Sequence, residues 1–263
     1  MNKYTYTYNV ILDNMDLMRY RLKPLDAIMY LQDSFARYCA TKKVAAYDLF
    51  PKNLYWVISD FNIEFTEDTP FWSEEIETEI WFSEISKLRT YTDFVIKHRG
   101  NVFAKGNICW YILDQNTHRP TRVDELLSHC EVLPELTLGE HTKFQLEEPK
   151  EKIGEIVHRM SLSDVDFNGH VNNKSYINIA AMSDSLEFRK THTLKNLKVK
   201  FIRESYLDEV LVCNTFATET PNNHVYKLEK DGVSVCEVGT SWSDDVNDMN
   251  ILDYDLEVKN SKN

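Results

Sequence analysis

The chain is poor in the residues that most nucleotide and metal sites require. Seven glycines are scattered through 263 residues, and none forms the Gly-rich run that cradles phosphate. Neither a dinucleotide nor a nucleoside triphosphate site is therefore expected. Five cysteines, at 39, 109, 130, 213 and 236, are odd in number, widely spaced and without a Cys-x-x-Cys. Free thiols in a reducing compartment follow, with no zinc centre and no cofactor. No apolar run approaches the roughly 20 residues that cross a bilayer. The opening segment Met1–Tyr8 alternates like a strand and lacks the apolar core of a signal peptide. A cytoplasmic protein without a transit segment or a membrane span is the expectation. Basic residues are outnumbered too: 30 Lys and Arg against 42 Asp and Glu leave a formal charge of −12, the wrong sign for a nucleic-acid partner. Ser183 and Ser185 lack the Gly-x-Ser-x-Gly elbow of serine hydrolases.

What is present is aromatic and apolar sequence arranged in a repeating order. A strand pattern over Tyr4–Leu12 precedes a helix opened by Pro24, with Leu25, Ile28, Leu31, Phe35 and Tyr38 at spacings of three and four. Strand patterns follow at Leu54–Ile58, Phe61–Phe65, Glu75–Phe82, Leu88–His98 and Val102–Leu113. The second half repeats this order. A strand at Glu155–Met160 leads to a helix over 173–190, then to strands near 195–203, 208–218, 223–229 and 233–242. Phe61-Asn-Ile-Glu-Phe65 is echoed by Leu197-Lys-Val-Lys-Phe201. The class is α+β, two copies of a helix followed by antiparallel strands. Halves at 1–130 and 153–243 are divided by a linker at 131–152, carrying Pro134, Gly139 and Pro149, and followed by an acidic, solvated tail at 244–263. Trp56, Trp72, Trp81, Trp110 and Trp242 are read chiefly as core, with some able to line an apolar tunnel.

The most informative stretch runs from Ser163 to Tyr176. Asp166, Asn168 and His170 alternate with Val165, Phe167, Gly169 and Val171. In an extended segment, alternate side chains share one face at about 6.6 Å separation, with Phe167 and Val171 packed behind. Gly169 allows a positive φ just before His170. Asn172 or Asn173 can cap the apolar helix that follows, whose N–H groups then face whatever the loop holds. An Asx-rich capping loop with an incidental histidine explains the same residue types equally well. No histidine precedes His98, so only the second copy can supply an imidazole from this loop.

This stretch resembles the active-site segment of the acyl-acyl-carrier-protein thioesterases, the plant fatty-acyl enzymes and their bacterial relatives. The family pattern Asp-x-Asn-x-His-Val-Asn-Asn-x-x-Tyr is complete here from Asp166 to Tyr176. Val199-Lys-Phe-Ile-Arg-Glu-Ser205 resembles the family strand that ends in a glutamate followed by cysteine; Ser205 stands where the plant enzymes usually have that cysteine. Leu54-Tyr-Trp-Val57, Pro70-Phe-Trp72 and Thr117–Arg122 extend the likeness over the first half.

The resemblance implies a tandem double hot-dog, two antiparallel sheets each wrapping a long helix. It implies hydrolysis of fatty acyl thioesters on acyl carrier protein, with Asp166, Asn168, His170 and Glu204 as the catalytic set. A fused pair would imitate the dimer of single-copy hot-dog enzymes, giving a monomer or a homodimer. Ser205 rules out a cysteine nucleophile at that position and favours water- or carboxylate-based chemistry. A coenzyme A thioesterase using the same residues is the alternative, and a non-catalytic acyl-ligand sensor a more distant one. Carrier proteins are acidic, so docking on this acidic chain requires a local basic patch, for which Lys198, Lys200 and Arg203 are the candidates. His118, Arg119 and Arg122 read as a turn with solvated charges.

Overall fold

The structure, a computed structural model, describes residues 3–14, 22–66, 69–141, 144–166 and 168–244. In the first half β1 (Tyr4–Asn9) leads to helix α1 (Ala27–Thr41) and the single turn α2 (Ala46–Leu49). Strands β2 (Leu54–Phe65), β3 (Glu75–Ile85), β4 (Thr90–His98) and β5 (Asn101–Asp114) follow, then the short α3 (Val123–Leu126). The second half holds β6 (Lys152–Arg159), α4 (Asn173–Met182), α5 (Leu186–Thr191), β7 (His192–Phe201), β8 (Val210–Ala217), β9 (Asn223–Lys230) and β10 (Val233–Asp244). The acidic tail beyond residue 244, and Phe167 in the loop, lie outside the described residues.

Pro24 fixes φ in a 3-10 turn over Pro24–Asp26 that launches α1. Ile28, Leu31, Phe35 and Tyr38 then fall on one buried stripe of the helix. That stripe lies on the sheet: Phe35 stacks on Trp110 and meets Trp56 and Phe82 edge-on.

All ten strands form one antiparallel sheet in the order β1-β3-β4-β5-β2-β7-β10-β9-β8-β6. With β6 read as the counterpart of β1, β8 of β3, β9 of β4, β10 of β5 and β7 of β2, the two five-strand orders are identical. They meet head to head. The two sheets expected from the sequence are thus continuous, because β2 and β7 pair along their backbones over Asp60–Glu64 and Asn196–Lys200. The register explains the sequence echo. Phe61 faces Val199 and Ile63 faces Leu197, around a central Asn62–Lys198 pair. Equivalent residues of the two copies are exchanged across that pair, as in the self-complementary interface of a two-fold dimer.

Two local features depart from the sequence reading. The patterns at Leu54–Ile58 and Phe61–Phe65 are one strand, interrupted by an irregularity between Ile58 and Asp60. The extra residue shifts the inward set from Leu54, Trp56 and Ile58 to Phe61, Ile63 and Phe65. The helix expected over 173–190 stops at Met182. Asp184 then turns its carboxylate inward, accepting hydrogen bonds from Tyr226 at 2.8 Å and lying 3.0 Å from His224 Nδ1. Ser185 caps the separate α5 by accepting from Phe188 N–H. The second long helix is therefore two short ones.

Residues 131–141 and 144–151 cross the sheet face opposite the helices without regular structure, held by specific bonds. Trp81 Nε1–H donates to Glu135 O at 2.9 Å, and Thr137 N–H and Oγ1–H donate to Asp93 at 2.7 and 2.8 Å. His141 lies 2.8 Å from Asp93 and 3.2 Å from Glu84. A Cβ on Gly239 would fall 2.5 Å from Leu146 Cδ2, so the glycine leaves room for that side chain to pack on the sheet. Of the tryptophans, Trp81 and Trp110 are buried and Trp56 and Trp242 half-buried, but Trp72 is 52% exposed. Its place in the loop before β3, outside the sheet's period, removes it from the core.

Candidate functional site

The 165–171 loop is a tight turn, which overturns the extended conformation read from its alternating residues. Val165 and Val171 form an isolated antiparallel bridge. Inside it Asp166 N–H donates to His170 O at 2.9 Å and Gly169 N–H to Asp166 O at 3.0 Å. Gly169 has φ +79, with nothing within 4 Å of where a Cβ would stand. Backbone conformation, not crowding, is why glycine fits there. Asp166 Oδ1 accepts Asn168 N–H at 2.8 Å and Oδ2 faces Asn168 Nδ2 at 3.5 Å. The turn is joined to α4 by Asn172, whose N–H donates to Asp164 O at 2.7 Å and whose side chain caps the helix through Lys174 N–H at 2.9 Å. Of the two asparagines offered as caps, Asn172 is the one used.

Glu204 reaches the same place from the end of β7. The strand leaves the β2 pairing after Lys200, and Ile202 and Arg203 N–H turn to Val235 O. Val171 N–H donates to Ser205 O at 2.9 Å, pinning the turn beside this segment. Glu204 Oε1 then lies 3.6 Å from His170 Nδ1. The four predicted residues thus form two contacting pairs, Asp166 with Asn168 and His170 with Glu204. All four line one cavity of about 720 Å³. Ser205 is fully buried and does not line it, so the position that carries cysteine in the plant enzymes faces the core.

The cavity crosses the seam between the halves. The four residues line it with Asn172 and Asn173 at the start of α4, and its apolar walls include Phe35, Cys39, Trp56 and Trp110. Sequence reasoning missed Tyr55 and Tyr206. Tyr55 O–H donates to Glu204 Oε1 and Tyr206 O–H to Oε2, both at 3.2 Å. His118 sits in an exposed turn after β5, as expected, yet its Nδ1 is 3.1 Å from the Tyr55 hydroxyl oxygen. Burial, then the neighbouring Glu204 carboxylate, pushes both tyrosine pKa values up, so both phenols remain protonated donors. Tyr55 lies 149 residues from Glu204, and no local pattern could join them. The sheet does, because the β2–β7 pairing, which ends at Asp60 and Lys200, sets the start of β2 and the segment after β7 on the same side of the seam.

Of the three basic candidates, only Arg203 lines this cavity. Lys198 and Lys200 sit mid-sheet, opposite Asn62 and Asp60. Lys198 borders a separate small pocket with Glu147 and Asn223, and Lys200 covers the Phe144 ring. The alternation put them on one face correctly, but that face is the one crossed by the connection. Among the described residues no cluster of His, Cys, Asp and Glu is arranged to hold a metal, and no helix is long and apolar enough to cross a membrane.

A duplicated helix-and-sheet unit, joined by one seam and holding a cavity across it, defines a tandem hot-dog protein. Comparison with known proteins gives the family. The acyl-ACP thioesterase N-terminal domain profile matches residues 1–129 and the C-terminal domain profile residues 147–244, and the chain belongs to that family. Oleoyl-acyl carrier protein thioesterase 2, chloroplastic, of Arabidopsis thaliana is 31% identical over 188 residues, 67% of this chain and 51% of the relative. The chain thus spans about half the length of the curated relatives it matches. An acyl-ACP thioesterase from Bacteroides thetaiotaomicron superposes with TM-score 0.80 at 19% identity, covering 91% of this chain and 97% of that one. The 12:0-ACP thioesterase of Umbellularia californica gives 0.79 at 16%, covering 92% and 97%. These two likenesses establish the fold.

Proposed function

We propose that this chain hydrolyses fatty acyl thioesters carried on acyl carrier protein, releasing the free fatty acid and the carrier thiol. The observation that carries the reading is the cavity itself. Its volume falls within the usual range of about 300–1,000 Å³ for small-molecule sites. The two carboxylates, amide and imidazole line it together with the apolar Phe35, Trp56 and Trp110. An acyl chain belongs against those rings and its thioester carbonyl among the polar groups.

In this reading Glu204 and His170 act on water. The pair removes a proton as the water oxygen bonds to the carbonyl carbon. The C–S bond then breaks and the imidazolium returns the proton to the departing thiolate. Asp166 and Asn168 hold the carbonyl and the attacking water in line. Backbone N–H groups at the start of α4 stabilise the oxyanion, a contribution of about 3 kcal/mol per donor in comparable sites. The carrier docks near Arg203, which is exposed and borders the cavity. Two copies already joined at the seam favour a monomer. Five free cysteines, four of them buried, accord with a cytoplasmic setting.

The test is turnover of matched acyl-carrier-protein and acyl-coenzyme A thioesters of several chain lengths. Carrier thioesters should turn over faster, and Arg203→Glu should raise their KM about tenfold while sparing small acyl thioesters. Faster turnover of coenzyme A thioesters would assign the site to that substrate, and no turnover of any thioester would overturn the reading.

A further inference from the structure

We propose that the first half of the chain supplies positioning residues to the second half's site: Tyr55, and His118 acting through it, hold Glu204 in the orientation that serves His170. The inference deepens the proposed hydrolysis and rests on it for its kinetic arm only. It starts from proton arithmetic. An ionised carboxylate only accepts hydrogen bonds, and a phenol has one proton to give. Tyr55 is 3.2 Å from Glu204 Oε1, so that proton goes to the carboxylate. Its oxygen, 3.1 Å from His118 Nδ1, must then accept, which fixes His118 with its proton on Nδ1. The chain of donors runs from His118 to Tyr55 to Glu204.

Glu204 has two oxygens and three neighbours. Tyr206 takes Oε2 at 3.2 Å. Oε1 is shared between the Tyr55 hydroxyl and His170 Nδ1, the latter at 3.6 Å, beyond a closed hydrogen bond. Tyr55 therefore sets how near the carboxylate comes to the imidazole. His170 packs edge-on to Tyr206, ring centroids 5.3 Å apart, and stands 6.5 Å from the Tyr55 ring. The groups facing Glu204 are thus Tyr55 from β2, His170 from the 165–171 turn and Tyr206 from its own segment, with His118 in the turn after β5 standing behind Tyr55. All line the cavity.

Tyr55→Phe keeps the ring and removes only the hydroxyl. A lost hydrogen bond to a charged group lowers kcat by about tenfold, while KM stays within about twofold because the wall is intact. The freed oxygen can close on His170, so the midpoint of the His170 ring titration, followed by NMR, should rise. His118→Ala, in an exposed turn and checked for folding by thermal melts, should move both readouts the same way by less. Because His118 works through Tyr55, the double variant should match Tyr55→Phe alone. Additive losses, a rise in KM with kcat unchanged, or an unmoved His170 titration would each overturn the proposal. A wild-type protein inactive on every thioester would instead remove the hydrolytic reading, and the His170 titration would still decide whether Tyr55 and His118 position the pair.

Discussion

The two halves share a strand order but differ at the helix N-terminus. In the first half the 3-10 turn before α1 ends on Asp26, whose buried carboxylate pairs with Lys174 at the start of α4, 2.7 Å away. The corresponding region of the second half is the Asp166–His170 turn, open to the cavity. Helix α1 runs 15 residues and gives Phe35 and Cys39 to the cavity wall; α4 runs 10 and gives only Asn173 and Tyr176. In the proposed reading, one copy builds much of the wall and the other carries the acid–base residues. The same fold tolerates both because the sheet fixes the helices, leaving the loops ahead of them free to differ.

The strongest challenge to this division is to remove the chemistry alone. Asp166→Asn, His170→Ala and Glu204→Gln should each lower kcat about 100-fold or more, with folding intact because all three sit in a surface turn or at a strand end. Thermal melts beside the kinetics check both halves of that statement. Near-normal turnover in any two of them would dissolve the contrast between wall and chemistry.

The connection offers the next test, since it belongs to neither half. Burial raises Asp93's pKa, but bonds from His141, Ser83 and Thr137 prevail and hold it below the usual carboxylate range. Burial lowers His141's, but Asp93 and Glu84 prevail and raise it. The carboxylate's contribution is present above the ordinary aspartate range and fades as pH falls through its depressed value. The imidazole's contribution is complete below the ordinary histidine value of about 6.5 and fades as pH rises through its raised one. His141→Ala, leaving a buried carboxylate short of its partner, should cost about 3 kcal/mol. The gap from wild type, measured by denaturant unfolding, should be widest near pH 5 to 6.5 and narrow on the alkaline side. A gap independent of pH would mean that the contact is not an ion pair.

A milder change probes the wall. Cys39→Leu adds bulk to a buried cavity residue at an overpacking cost of about 1–3 kcal/mol. It should reduce kcat/KM for the longest acyl chains roughly tenfold and leave short chains nearly unaffected. Equal loss at all lengths would place the acyl chain elsewhere. The smallest effect is expected from thiol chemistry. Burial pushes Cys109 and Cys213 up to about 12 and Cys39 and Cys236 well above the ordinary thiol value. Replacing all five by alanine or serine should keep kcat within about twofold, provided that melts show a folded variant. Activity restored only by returning one cysteine would reveal a nucleophile outside the Asp166–Glu204 set.

Legibility in the sequence followed the range of the interactions. Strand alternation and the α1 stripe are local and were readable, as was Gly169 before His170. The β2 irregularity was visible only as a gap between two patterns, because one inserted residue inverts the alternation. The break after Met182 had a signal in Ser183-Asp-Ser185, a capping composition inside an apolar helix, but what makes Asp184 turn inward is His224 and Tyr226, 40 and 42 residues on. The extended reading of 165–171 failed because its alternation comes from a turn's own hydrogen bonds. Tyr55 and His118 lie in stretches that carry the likeness over the first half, but nothing local in those stretches or around Tyr206 points to Glu204. Lys198 and Lys200 were read on the correct strand face, but only the three-dimensional path of the connection shows that it crosses this face, half-burying Lys200 and leaving Lys198 exposed.

The β2–β7 seam has a genetic consequence. In a dimer of identical chains every substitution is made twice, and a tyrosine placed to help one site also appears at its mirror position, useful or not. Joining the copies in one chain removes that constraint everywhere except along the seam, where Phe61 must still suit Val199 and Ile63 must suit Leu197. Within one chain the two copies can thus differ away from the seam, while the paired strands keep the two-fold exchange of residues along it.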